Sequence, residues 1–245
     1  MNNITEITLI GFFVGVLGTG IGGVFAVILK KPGDKLLSFI LGFSAGIMLT
    51  IVCFDLLPKA FERGSFFLII IGILFGVLLV VFVDEKIFSH CKIKENKGFL
   101  KMSVLIGFGI ALHNFPEGLA IGSGFMLTKE LGIGISIVIA LHNIPEGISM
   151  AVPMKVSGMS GIRSLFYTML VGLPMGLGAF IGAVLGDISE VFVAFCLAFA
   201  GGTMLYITCG ELIPKSNELS FKKISSLGLI VGFILGLFIT FDFHL

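Results

Sequence analysis

Two six-residue stretches carry the chemistry this sequence is equipped to do. His113-Asn114-Phe115-Pro116-Glu117-Gly118 recurs as His142-Asn143-Ile144-Pro145-Glu146-Gly147, with five of the six residues identical. In each copy the histidine and glutamate are four apart, so on a helix they share a face. The asparagine sits about 100° around the helix from its histidine and three residues from the glutamate. Each glutamate can therefore serve two neighbouring positions, one beside His113 or His142 and one beside Asn114 or Asn143. The prolines add backbone oxygens: without an N–H at Pro116 and Pro145, the carbonyls of Leu112 and Leu141 lose their helical donors. Imidazole and carboxylate together suit zinc, iron, manganese, cobalt or nickel better than calcium or magnesium.

The surroundings make this chemistry expensive unless something compensates it. Of the 245 residues, 56% are hydrophobic and 13% are charged, against about 25% charged in a soluble domain, so lipid is the expected solvent. Helices that cross it need about 20 apolar residues. Eight stretches qualify: Ile7–Ile28, Leu36–Leu57, Phe66–Phe88, Ser103–Met126, Leu131–Val152, Phe166–Leu185, Phe192–Ile213 and Ile224–Phe243. Both motifs fall near the middle of their spans, the fourth and fifth. A charged side chain at that depth costs roughly 2.5–3.5 kcal/mol on insertion scales. Two histidines, two glutamates and two asparagines at one level need a shared partner, and a bound cation supplies it. Mutual pairing of the same residues as polar glue between helices is the plainer alternative, and the duplication of the motif at equal depth argues against it.

A second repeat frames the first. Leu41–Glu62 aligns without gaps on Leu197–Glu218, matching Met48 with Met204, Cys53 with Cys209, Pro58 with Pro214, Lys59 with Lys215 and Asp55 with Glu211. Spans two and seven point in opposite directions, as do spans four and five, so both repeats are inverted in the membrane, a construction common in secondary transporters. The expected fold is all-α, with eight transmembrane helices, spans one to three related to spans six to eight, and a metal site in the central bundle. Residues 1–245 form a single transporter domain in this reading.

Charge sets the expected orientation. Lys30, Lys31, Lys35, Lys86, Lys92, Lys94, Lys97, Lys101, Lys155, Arg163, Lys215, Lys222 and Lys223 lie on one side, and only Lys59, Arg63 and Lys129 on the other. Positively charged loops stay in the cytoplasm, so both termini are expected outside, in a multi-pass protein of the cell membrane. The first apolar stretch has no basic n-region or small-residue cleavage site and reads as a retained helix. The net charge of +1 and the absence of a basic run with interleaved aromatics exclude nucleic acid as an expected partner. Four cysteines without a CxxC pair suggest neither a disulfide framework nor a zinc ribbon. HExxH, which would place a general base between two metal-binding histidines, is absent, as are a G-x-S-x-G elbow and a Walker A loop.

On the paired motifs, the eight spans and the outward termini, the chain resembles the ZIP (Zrt/Irt-like protein) family of divalent metal transporters, in its bacterial GufA-like branch. The resemblance implies an inner bundle of spans one, four, five and six, flanked by spans two, three, seven and eight. It implies that His113, Glu117 and Glu146 are the primary metal ligands, that Glu117 bridges two metal positions, and that Asn114 and Asn143 serve the second. His142 matches a position held by varied polar residues. Met48 matches a methionine that contacts metal, and Glu211 an acidic residue near the cytoplasmic exit. One position departs: Met175 in Gly172–Gly178 stands where relatives often carry a glutamate, which puts a full binuclear centre in question. His90 and Cys91 are the candidate metal-sensing residues of the short cytoplasmic loop.

The resulting expectation is import of divalent metal, zinc first, by alternating access, with a divalent transition metal as substrate, membrane lipid around it, no organic cofactor and, by resemblance, a homodimer. An intramembrane metalloenzyme using the same cluster and a metal-stabilised scaffold are the alternatives; flux without turnover separates transport from both.

Overall fold

The computed structural model describes residues 3–29, 32–88, 95–185, 190–220 and 222–242. His90, Cys91 and several of the loop lysines invoked above lie outside them. Among the described residues every regular element is helical, and eight helices are long and apolar enough to cross a membrane. They are α1 (Ile4–Ile28), α2 (Asp34–Arg63), α3 (Phe66–Lys86), α4 (Gly98–Met126), α5 (Lys129–Val156), α6 (Gly161–Leu185), α7 (Glu190–Leu219) and α8 (Lys223–Phe241). The ends are set by local chemistry. Side-chain oxygens of Asn3, Ser65, Thr128 and Ser160 accept from free backbone N–H groups at the starts of α1, α3, α5 and α6.

The packing partners sort the helices into two groups. α1, α4, α5 and α6 contact one another, through α4 on α6, α1 on α5, α4 on α5 and α1 on α6. Outside them α2 packs on α8 and α3 on α7, and α7 and α2 meet the inner group through α4 and α5. This is the inner bundle and flank that the resemblance implies. α3 and α8 are the most exposed, showing Phe67, Phe75, Phe82, Leu227, Ile234 and Phe238 outward, the surface expected to meet lipid.

Small residues set the helix spacing. Gly72 and Gly76 of α3 lie against the backbone of Phe195 and Phe199 in α7, and Gly228 and Gly232 of α8 against the backbone of Phe39 and Phe43 in α2. In the register that aligns Leu41–Glu62 with Leu197–Glu218, the second set of contacts is the first carried from one half of the chain to the other. The same register relates Gly46, packed on the Leu229 carbonyl, to Gly202, packed on that of Ile73. Close backbone approach gives apolar helices their dispersion contact where lipid offers no hydrophobic drive.

The prolines of the spans act in three ways. At Pro58 and Pro214 the preceding turn widens into a π-helix, Val52–Leu56 in α2 and Thr208–Leu212 in α7, again at matching positions. Leu57 then donates to the Val52 carbonyl and Ile213 to that of Thr208, which accommodates a residue with no N–H of its own. Pro116 and Pro145 lie inside uninterrupted α-helix. α6 breaks instead. The sequence suggests one span over Phe166–Leu185, whereas the structure has helix over Gly161–Leu170, a turn at Val171 and Gly172, and helix again over Leu173–Leu185. Pro174 cannot donate to the carbonyl four residues back, and Gly172 favours the loosened turn.

One polar knot ties the flank. Ser216 of α7 donates to the Ser38 carbonyl of α2 at 2.6 Å and lies 2.7 Å from the Ser225 hydroxyl of α8, while the Ser38 hydroxyl donates to the Ser216 carbonyl at 2.8 Å. Ser216→Ala leaves the buried Ser225 hydroxyl without its acceptor, so it is expected to cost about 1–3 kcal/mol of stability, read as a lower melting temperature in detergent with metal affinity unchanged.

Candidate metal centre

α4 and α5 lie side by side and bring the two motifs face to face. His113, Asn114, Glu117, His142, Asn143 and Glu146 are all buried. Their burial follows from the glycines that close each motif. Gly118 sits on the Met175 carbonyl of α6 and Gly147 on the Thr19 carbonyl of α1, so no larger residue fits and the helices behind the motifs press close.

Glu117 is the hub. Its Oε1 is in direct contact with Nε2 of His142 and lies 2.9 Å from Nε2 of His113. The second contact lacks the alignment of a hydrogen bond, since His113 Nε2 has no hydrogen-bond partner among the described residues. Glu146 Oε1 is 3.6 Å from His113 Nε2, and the two imidazole rings have centroids 6.0 Å apart. One ligand atom each from His113, His142 and Glu146 falls within 4.8 Å of the others. His142, the residue to which the sequence attaches the loosest role, is thus a full member of the cluster.

The arrangement is incomplete as a hydrogen-bond network. Both oxygens of Glu146, Oε2 of Glu117, Nδ1 of His113, Oδ1 of Asn114 and both polar atoms of the Asn143 amide are buried without a hydrogen-bond partner among the described residues. Burying polar groups without a partner costs roughly 1–3 kcal/mol apiece. Polar glue would satisfy its members; this cluster does not satisfy its own. With both imidazoles neutral, as metal ligation requires, the two carboxylates carry two negative charges, which a divalent cation cancels.

Asn114 is held from the side. Its Nδ2 donates to the carbonyl of Val171 at 2.8 Å, the oxygen that the α6 break leaves open. The sequence shows Pro174 but not this partner, which lies 57 residues away.

Two further candidates lie on the flanking helices. Met48 is buried in the apolar cluster that also holds Ile47, Ile51, Met204 and Ile207, and its sulfur accepts from the Thr208 hydroxyl at 3.9 Å. Glu211 lies in the π segment of α7, where the charges acting on it are those of Lys101, Asp84, Glu218 and Lys215. Lys101 of α4 pairs with Asp84 of α3, and Lys215 of α7 rests over the Phe99 ring, 5.0 Å from its centroid, so Glu211 belongs to a charged mouth and not to the histidine cluster. Met175 is fully buried with Ile7, Ile121, Phe125 and Ile139, an apolar setting for a side chain that fills space.

Comparison with known proteins agrees in one direction. The family described as ZIP Zinc transporter matches residues 89–240. The chain is 39% identical over 166 residues to the zinc transporter GufA of Myxococcus xanthus, covering 66% of this chain and 65% of that protein. It is 34% identical over 239 residues to the zinc transporter ZupT of Corynebacterium glutamicum, covering 88% and 91%. Over 237 residues it is 34% identical to a zinc transporter ZupT of Escherichia coli, covering 92% and 88%.

Proposed function

The chain belongs to the ZIP zinc transporter family, and from that premise we propose that it carries zinc into the cytoplasm through the cluster between α4 and α5. It is a multi-pass membrane protein that moves divalent metal, not an enzyme. The observation that carries the site assignment is the set of buried, unpartnered ligand atoms on His113, Asn114, Glu117, Asn143 and Glu146. His113, Glu117 and Glu146 hold the ion in this reading. His142 joins them through Glu117, and the asparagine oxygens are available to a second metal position. Zinc takes four nitrogen or oxygen ligands at about 2.0–2.2 Å, and the cluster offers two imidazoles and two carboxylates.

Thirteen of the sixteen Lys and Arg residues fall on one side of the membrane by the topology of the spans, so that side is cytoplasmic and both termini face outward. Metal enters from outside, binds at mid-depth and leaves past Glu211, whose surroundings are the charged ends of α3, α4 and α7. The matched glycine contacts and π segments of the two halves favour an inverted duplication, which gives alternating access its physical basis: two packings of similar energy related by exchange of the halves. Residues 1–245 act as one transporter domain. Lipid covers the apolar faces of α3 and α8, and the homodimer implied by resemblance would bury part of the exposed surface.

Zinc uptake by proteoliposomes tests the assignment. Glu146→Ala removes two of the unpartnered oxygens and is expected to abolish saturable uptake while the protein stays folded. Undiminished flux in that variant would place the site elsewhere.

A further inference from the structure

The two motifs match in sequence, yet the helices behind them do not. The register that relates Gly46 to Gly202 and Gly72 to Gly228 also relates α1 to α6, setting Gly15 against Val171, Gly18 against Pro174 and Thr19 against Met175. The packing obeys it: Gly118 sits on the Met175 carbonyl and Gly147 on that of Thr19, Gly178 on the Phe115 carbonyl and Gly22 on that of Ile144. Asn114 and Asn143 are therefore equivalent in position, and each faces an equivalent stretch of backbone.

At that stretch the symmetry fails. α6 is broken, and the Met175 N–H, which would satisfy the Val171 carbonyl in a continuous helix, donates to Gly172 at 3.2 Å instead. The open carbonyl is taken by Asn114 Nδ2 at 2.8 Å. α1 is an uninterrupted helix over Ile4–Ile28, and its Gly15 carbonyl accepts from the Thr19 hydroxyl at 2.8 Å. Asn143 lies beside Gly18, fully buried, with neither amide atom hydrogen-bonded among the described residues.

We propose that the α6 break is a positioning device: Pro174, with no N–H for the Leu170 carbonyl, interrupts the helix, the break turns the Met175 N–H away from the Val171 carbonyl, that carbonyl holds the Asn114 amide by its nitrogen, and Asn114 Oδ1 is thereby fixed as a metal-facing oxygen, while Asn143 has no such anchor. A carbonyl can only accept, so the nitrogen must face it and the oxygen must face away. The two halves of the site are then unequal: one asparagine is a preset ligand, the other has no hydrogen bond that sets which of its amide atoms meets an ion. The inference rests on the site assignment above and assigns a role to two residues, Val171 and Pro174, that touch no metal themselves.

Aspartate tells the two asparagines apart. It keeps the size and adds a stronger oxygen ligand, but it has no N–H to give. Asn114→Asp sets a carboxylate against the Val171 carbonyl and loses the anchor. Asn143→Asp loses none. In proteoliposomes, Asn114→Asp is expected to raise the KM for zinc about tenfold or more, in the range seen when partners that orient metal ligands are removed, and by clearly more than Asn143→Asp. Pro174→Ala lets α6 close and should raise KM in the same way, with the Asn114→Asp/Pro174→Ala double variant no worse than Asn114→Asp alone, the signature of a shared interaction. The visible absorption of the Co2+-loaded protein should change alike in Asn114→Asp and Pro174→Ala. Equal KM effects of the two aspartates, or additive effects in the double variant, overturn the proposal. Should Pro174→Ala not fold, the comparison of the two aspartates decides alone. Glu146→Gln, run beside them, separates the two layers: wild-type zinc binding in that variant refutes the site assignment itself, whereas lost binding with equal aspartate effects refutes only the positioning role.

Discussion

Glu117→Gln is expected to eliminate saturable zinc uptake and to lower apparent zinc affinity at least a hundredfold. The reason is the position of one oxygen. Glu117 Oε1 meets Nε2 of both histidines, one from each motif, so it is the point at which α4 and α5 share charge. Glutamine keeps the volume and the chain length but removes the anion. Taking one member from a buried charged set costs roughly 3–5 kcal/mol, which in affinity is about two to three and a half powers of ten. The same variant separates transport from glue. Zinc at a hundred times its Kd stabilises a protein that binds it only when folded by about 2.7 kcal/mol. Zinc should therefore raise the melting temperature of the wild-type protein and leave that of Glu117→Gln where it was. If zinc protects both proteins equally and uptake persists, Glu117 is a structural tie and the metal lies elsewhere.

The cluster was legible because its cost was legible. Histidine, asparagine and glutamate in duplicate, at mid-depth of apolar spans, have few stable arrangements, and helical spacing alone puts each His above its Glu. The eight spans and the division into inner bundle and flank were likewise accessible, the first from hydropathy and the second from the family resemblance. What the sequence hid were the outcomes of long-range packing. Proline shows this well. The residue at positions 58, 116, 145, 174 and 214 has the same covalent defect each time, a missing N–H, yet two of these sites widen into π turns, two stay within α-helix and one breaks the helix. The local sequence states that a carbonyl will be freed; only the neighbouring helices decide what receives it. Met48 illustrates the converse. Its alignment with a metal-contacting methionine is a statement about relatives, and its neighbours here, Ile47, Ile51, Met204 and the Thr208 hydroxyl, neither require nor forbid that contact. Thioether sulfur serves both settings, so the residue type could not choose between them.

The second large effect concerns the scaffold rather than the ion. Gly76→Leu and Gly232→Leu are each expected to destabilise the protein by about 3 kcal/mol or more, and by similar amounts. A Cβ at Gly76 would collide with the Phe199 carbonyl of α7, and one at Gly232 with the Phe43 carbonyl of α2. These obstacles are backbone atoms, which cannot rotate aside as a flexible side chain would, so the cost belongs at or above the upper end of the roughly 1–3 kcal/mol usual for overpacking. The similarity is the sharper part of the expectation. If the two halves of the chain are copies packed in opposite senses, the α3–α7 and α2–α8 contacts are one interface made twice, and the same intrusion should be felt equally in both. Gly134 in α5 is the control, because a Cβ there meets nothing within 4 Å, and Gly134→Leu adds an apolar side chain where the surface is already exposed. Thermal unfolding in detergent, with the fraction surviving as monodisperse protein, gives the comparison. Gly76→Leu melting with Gly134→Leu would mean that α3 and α7 separate easily and that glycine is there for reasons other than close approach. Unequal losses at Gly76 and Gly232 would mean that the copies have diverged in how they pack, and that the exchange of halves is not an exchange between equals.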